Sequence, residues 1–150
     1  MVDCLFDFFT EAQESFPGVE TLVINQDNGP ENHSRRTQFM KRITDFADHF
    51  RLNVLLAYYP PYHSKYNPIE RVWGIFEQHS NGSLMDKAST LIQFAKTMTY
   101  KGKRPVVKLI EKVYQTGVRL TQKAVGELEK RFQRLEGLEK WFVRIEPITL

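Results

Sequence analysis

Apolar residues at Val2, Leu5, Phe6, Phe9, Ala12 and Phe16 recur every three or four positions, which places them on one face of a helix that Pro17-Gly18 ends. Thr21-Leu22-Val23-Ile24-Asn25 is a short, β-branched apolar run bounded by turn residues. It predicts a strand covered on both faces, running into Asp27-Asn28-Gly29-Pro30. Helical spacing returns at Phe39, Met40, Ile43, Phe46, Ala47 and Phe50, with Arg35, Arg36, Lys41, Arg42, Asp45 and Asp48 mostly outward. Asn53 to Tyr59 then reads as a second buried strand. Strand, helix, strand, helix is the order of an α/β layer with parallel strands, whose ligands gather outside the carboxyl ends of the strands. Beyond Gly82 the pattern predicts helices over Asp86–Tyr100, Pro105–Leu120 and Thr121–Leu135, with Lys101-Gly102-Lys103-Arg104 as a basic connector. Trp141 to Ile145 is expected to be a short strand or an extended segment docked on the core. The expected division is therefore an α/β part over 1–82 and a basic, mainly helical extension over 83–150 that packs on it.

Composition adds limits. A chain of 150 residues that is 41% hydrophobic and 13% aromatic has the material for a globular core. No apolar run approaches the roughly 20 residues that span a bilayer, and the N-terminus has no secretory signal pattern. A soluble, cytoplasmic protein without a membrane partner is expected. Cys4 stands alone, so neither a disulfide framework nor a thiolate zinc site is supported, and it is expected to be a buried packing residue. Residues 1–80 carry 7 Lys+Arg against 11 Asp+Glu, and residues 81–150 carry 14 against 7, so balances of −4 and +7 sum to +3. A basic half suits a polyanion such as DNA, although spread-out Lys and Arg also serve simply to solvate helix faces.

Two carboxylates stand out. Asn67 is a favoured N-cap, Pro68 suits the first helical position, and Glu70 completes a capping box, so Glu70 is held in a first helical turn where the unpaired amides favour its charged form. Ile69, Val72, Trp73 and Phe76 form the stripe expected to be buried. Gly74, one turn beyond Glu70, leaves room for a substrate backbone. A capping glutamate needs no catalytic role, and Asp-Asn-Gly is a common turn; Pro30 and the helical pattern after it argue against a hairpin there. His33, His49, His63 and His79 lack metal-ligand spacing. For Tyr58, Tyr59, Tyr62 and Tyr66, packing is preferred to base stacking.

The run Tyr58-Tyr59-Pro60-Pro61-Tyr62-His63-Ser64-Lys65-Tyr66-Asn67-Pro68-Ile69-Glu70-Arg71-Val72-Trp73-Gly74, with Asp27-Asn28-Gly29-Pro30-Glu31-Asn32 upstream, closely resembles the catalytic domain of bacterial insertion-sequence transposases. These belong to the mariner-like branch of the D,D,E superfamily, whose ribonuclease-H-like fold is shared with retroviral integrases. Met98-Thr99 and Leu138-Glu139-Lys140-Trp141-Phe142 extend the resemblance over most of the chain. It implies a partial ribonuclease-H-like α/β fold with two parallel strands and flanking helices, and metal-dependent DNA cleavage and strand transfer. Asp27 takes the place of the second acid and Glu70 of the third, both catalytic and both metal ligands for Mg²⁺ or Mn²⁺ in a two-metal site. The family's first Asp has no counterpart, since Asp3 and Asp7 fall within the first helical pattern. The expectation is a fragment lacking three strands, inactive alone, with a bare edge at Leu22, Val23 and Ile24 that invites another chain. Expected partners are DNA, a second copy, or the remainder of the transposase. His63, Ser64, Lys65, Asn67, Arg71, Lys101, Lys103 and Arg104 are the candidate DNA contacts. Two rival readings are a non-catalytic DNA-binding or subunit-interaction module, and an unrelated α/β domain in which Asp27 and Glu70 are only turn and cap residues.

Overall fold

The computed structural model describes residues 1–60, 67–113 and 118–148. Helix α1 (Val2–Ala12) and a 3-10 turn (Gln13–Ser15) lead to strand β1 (Thr21–Asp27), helix α2 (Thr37–Phe50) and strand β2 (Asn53–Tyr59). Helices α3 (Pro68–His79) and α4 (Ala88–Thr97) follow, then helix α5 (Gln122–Arg131) and strands β3 (Phe132–Arg134) and β4 (Phe142–Ile145). The chain forms two compact units: residues 1–63 with 115–150, and residues 64–114. The C-terminal segment returns to the sheet through β3 and β4. Among the described residues, no helix is long and apolar enough to cross a membrane.

The first unit is built on a four-stranded sheet in the order β1-β2-β4-β3. β1 and β2 are parallel over their full lengths, Thr21 facing Asn53 and Asp27 facing Tyr59. β4 runs antiparallel on the other side of β2, and β3 antiparallel to β4. Leu22 and Ile24 share a sheet face with Val54, Leu56, Val143, Ile145 and Phe132, and this face joins the core of α1 and α2. Phe46 and Ile43 of α2 are fully buried there. Phe6 meets Phe46 edge-on at 5.3 Å between ring centroids, and Phe50 lies 4.9 Å from both Phe9 and Phe46. Edge-to-face packing of this kind is worth about 0.5–1.5 kcal/mol per pair beyond burial.

Several expectations change. β1 is covered on one face only, and Val23 on the other is 50% exposed. Cys4 is exposed. The helix expected over Pro105–Leu120 is not formed: 105–113 and 118–120 have no regular structure. β-branched Val106 and Val113 favour helix weakly and stand almost wholly exposed, so no packing rescues one. The helix expected to reach Leu135 stops at Arg131, where the backbone turns extended and Phe132 enters the sheet core. Trp141–Ile145 does become a strand, over Phe142–Ile145.

Arg131 fastens this C-terminal segment to α2. Its guanidinium donates to both Asp48 carboxylate oxygens, at 2.7 and 2.6 Å, and the Ile148 N–H donates to Asp48 Oδ1 at 2.9 Å. Burial by itself would push the Asp48 carboxyl up, but these bonds outweigh it and hold it below the usual carboxylate range.

Phe46→Ala should cost about 3–5 kcal/mol, read from urea unfolding followed by circular dichroism. A depressed folded-state value means Asp48 stabilises fully above the ordinary Asp pKa of about 3.9, and loses that contribution as pH falls below it. Asp48→Asn should therefore flatten the fall of stability with acid in that window; an unchanged slope would refute the assignment.

Candidate active site

Asp27 is the last residue of β1, delivered to the carboxyl end of a parallel pair by the full register with β2. It is exposed, on the opposite sheet face from the helices. Its carboxylate lies over Gly29, where an added Cβ would sit 3.4 Å from Oδ2. Beside it the side-chain oxygen of Asn28 is buried with no hydrogen-bond partner. The loop that follows is tied down: the Tyr58 hydroxyl donates to the Asn32 carbonyl at 2.7 Å, and Arg36 donates to the Pro30 carbonyl at 3.2 Å. Burial pushes the Tyr58 phenol up to about 12, so it remains a donor at neutral pH. Glu31 is held below the usual carboxylate range by its hydrogen bond and charge pairing with Arg36.

Glu70 belongs to the second unit. Asn67 is the N-cap of α3, its side-chain oxygen accepting from the Ile69 N–H at 3.4 Å, and Pro68 opens the helix. Glu70 sits exposed in the first turn. A Cβ at Gly74 would meet nothing within 4 Å, so one helix turn beyond Glu70 the surface is open. The stripe expected to be buried is not: α3 contains no buried residue, with Ile69 42% and Trp73 57% exposed. Within its unit α3 meets α4 near its C-terminal end, where His79 Nε2 lies 2.9 Å from Thr97 Oγ1 and the His79 ring packs on Phe94.

Neither the Asp27 nor the Glu70 carboxylate has a hydrogen bond or ion pair among the described residues. Carboxylate oxygens are hard donors of the type divalent cations take. No group of three or more His, Cys, Asp or Glu side chains is arranged around a common point among the described residues. Asp3, rejected as a ligand from its helical position, pairs with Arg42.

The candidate DNA contacts divide three ways. His63, Ser64 and Lys65 lie outside the described residues, as do Tyr62 and Tyr66. Asn67 is engaged as a cap, and Arg71 is exposed on α3. Lys101, Lys103 and Arg104 are exposed on a tight turn, where Tyr100 and Lys103 exchange backbone hydrogen bonds at 2.8 and 3.0 Å. Lys101 (φ 49) and Gly102 (φ 75) are both left-handed, the backbone of a two-residue hairpin turn. An open cavity of about 450 Å³ lies elsewhere, lined by Thr21, Asn53, Leu55, Phe142 and Arg144 among others at the starting end of β1 and β2, and holds none of the candidate residues. Sequence reasoning missed Arg134, whose bonds to the Asp27 loop join residues 100 positions apart.

Asn67→Ala should raise amide exchange in the first turn of α3 about fivefold, the equivalent of a cap worth about 1 kcal/mol. Unchanged exchange would show that Pro68 alone sets the helix start.

A family model described as the Rhodopirellula transposase DDE domain matches residues 1–147. No curated protein and no solved structure gives a significant match.

Proposed function

Because the chain belongs to the family of that transposase DDE domain, we propose that it is the part of a D,D,E catalytic domain that carries the second and third acids, Asp27 and Glu70. The observation that carries this reading is Asp27 itself: an exposed, unpaired carboxylate at the carboxyl end of a parallel strand pair, where α/β sheets collect ligands. The reading includes a ribonuclease-H-like fold of the mariner-like branch, and a reaction on DNA that cuts strands and joins them. The parallel β1–β2 pair with α2 between its strands is compatible with that fold.

Asp27 and Glu70 would hold the divalent cations, Mg²⁺ or Mn²⁺, with the Asn28 oxygen available beside Asp27. When bound, such ions lower the pKa of an attacking water or 3′-hydroxyl and stabilise the leaving oxygen. Glu70 would offer its carboxylate from the first turn of α3. Lys101, Lys103 and Arg104 would track phosphates, as would Arg71; Asn67 contributes by fixing the helix that carries Glu70. Such work places the protein with DNA in the bacterial cytoplasm. By the same reading the first acid comes from a strand outside these 150 residues. Among the described residues β1 ends the sheet, with β2 on its other edge, and such a strand would add to its outer edge. The chain alone would then not cut DNA.

A second reading, a non-catalytic DNA-binding or subunit-interaction module, is favoured by the exposed basic turn at 101–104. Metal titration separates the two. The purified chain should bind Mn²⁺ weakly, and Asp27→Asn and Glu70→Gln should each abolish the binding while Asp45→Asn leaves it intact. Binding indifferent to both acids would sink the metal site and leave the second reading. Replacing Lys101, Lys103 and Arg104 by Ala should reduce the salt dependence of duplex binding by about one unit of log–log slope for each phosphate no longer neutralised. Nicking of DNA by the isolated chain with Mg²⁺, abolished by Glu70→Gln, would refute its dependence on a further acid.

A further inference from the structure

Asp27 ends a strand, and the loop of residues 28–36 leaves it at once for α2. Ser34, near the loop's far end, is 2% exposed. Both its side-chain oxygen and its carbonyl are held by one residue from the opposite end of the chain: Arg134 Nη1 donates to Ser34 Oγ at 2.8 Å, and Nη2 to the Ser34 carbonyl at 3.0 Å. The rest of the fork is also engaged. Nε donates to Glu129 Oε1 at 2.8 Å, Nη2 to Glu129 Oε2 at 3.2 Å, and Nη1 to the Glu139 carbonyl at 3.4 Å. The side chain is only 11% exposed, so this guanidinium is not offered to a phosphate. Glu129 balances its charge, and its other donors go to Ser34 of the loop and to the Glu139 carbonyl.

We propose that Arg134 is a positioning residue for Asp27, acting through the loop and resting on the reading of Asp27 as a metal ligand. From Ser34 the restraint passes along short hydrogen-bonded steps. The Arg36 N–H donates to the His33 carbonyl at 2.9 Å, and the Asn32 N–H to the Gly29 carbonyl at 3.2 Å. Gly29 lies against the Asp27 carboxylate. Tyr58, whose hydroxyl holds the Asn32 carbonyl, fixes the middle of the same loop. Release at Ser34 therefore removes one of the three side-chain ties, from Arg134, Tyr58 and Arg36, that hold the backbone beside the carboxylate. Lysine could not replace the fork, because a single ammonium cannot bridge two loop oxygens and a bidentate carboxylate in one plane.

The test compares Arg134→Met with Arg131→Met, which also cuts a bidentate arginine–carboxylate pair but one that does not touch the loop. Both should lower the melting temperature. Only Arg134→Met should raise amide exchange at Asn32 and Arg36, by about tenfold or more, with β2 amides unchanged. Only Arg134→Met should weaken Asp27-dependent Mn²⁺ binding, by about tenfold. Equal loop protection or equal Mn²⁺ affinity in the two variants would overturn the proposal. If Arg134→Met unfolds the chain, Arg134→Lys, which keeps the charge and loses the fork, decides: weaker local protection at Asn32 and Arg36 supports it and unchanged exchange refutes it. If Asp27→Asn leaves Mn²⁺ binding of the unaltered chain intact, the metal reading fails by itself, and the exchange arm still decides whether Arg134 holds the loop.

Discussion

β2 needs partners for its backbone on both edges, and meeting that need organises the sheet unit. A buried strand leaves its amides and carbonyls unsatisfied unless neighbours pair with them. β1 fills one edge from 32 positions earlier in sequence, Thr21 facing Asn53. β4 fills the other from the far end of the chain, Val54 facing Ile145. The Tyr58 N–H extends the second pairing to the Trp141 carbonyl at 2.8 Å. Residues 118–148 are thus part of the sheet unit and not an appendage to it. The unit is closed by two chain segments, with residues 64–114 forming a compact unit between them in sequence.

The β1–β2 pairing also determines where Asp27 lies. Parallel register aligns the last residues of the two strands, so Asp27 and Tyr59 end together. On the helix-covered face Leu22 and Ile24 anchor β1 in the core, and strand alternation sends Val23, Asn25 and Asp27 the other way. A one-residue slip would turn Asp27 to the helix-covered face and carry Leu22 and Ile24 out of the core, which is strongly disfavoured. The apolar pattern of β1 therefore protects the exposure of its terminal acid.

Long periodic elements were legible in the sequence, and short or tertiary-dependent ones were not. α1, α2 and β2 follow from apolar spacing because each buries a regular stripe within its own unit. Asn67-Pro68 marks the start of α3 through local capping chemistry, which needs no distant partner. β3, by contrast, has three residues, and Phe132-Gln133-Arg134 continues a helical pattern as readily as it makes a strand. Only the ladder to β4 decides it. The same limit applies at 105–113, where apolar spacing predicts a helix but Val106 and Val113 stand exposed. Of the candidate site, the two acids could be read from motif and capping, whereas the Arg134 clamp could not, since nothing local distinguishes it from Arg144, a strand arginine that is half exposed and pairs with Glu146.

The two arginines that tie the C-terminal segment to the rest of the unit differ in what they ask of the protein. Arg131 uses an α2 carboxylate, Asp48, and so makes the join sensitive to acid. Arg134 takes its carboxylate from Glu129, five residues away, and reaches the loop through neutral oxygens of Ser34. A cation held so close to the Asp27 loop, if left unpaired, would compete with metal for the nearby negative charge; local neutralisation by Glu129 removes that competition. The arrangement lets a guanidinium tie the loop without bonding to Asp27. The loop backbone beside Asp27 is thus tied at Ser34 and at Asn32, by Arg134 and Tyr58, through contacts that leave the carboxylate itself out.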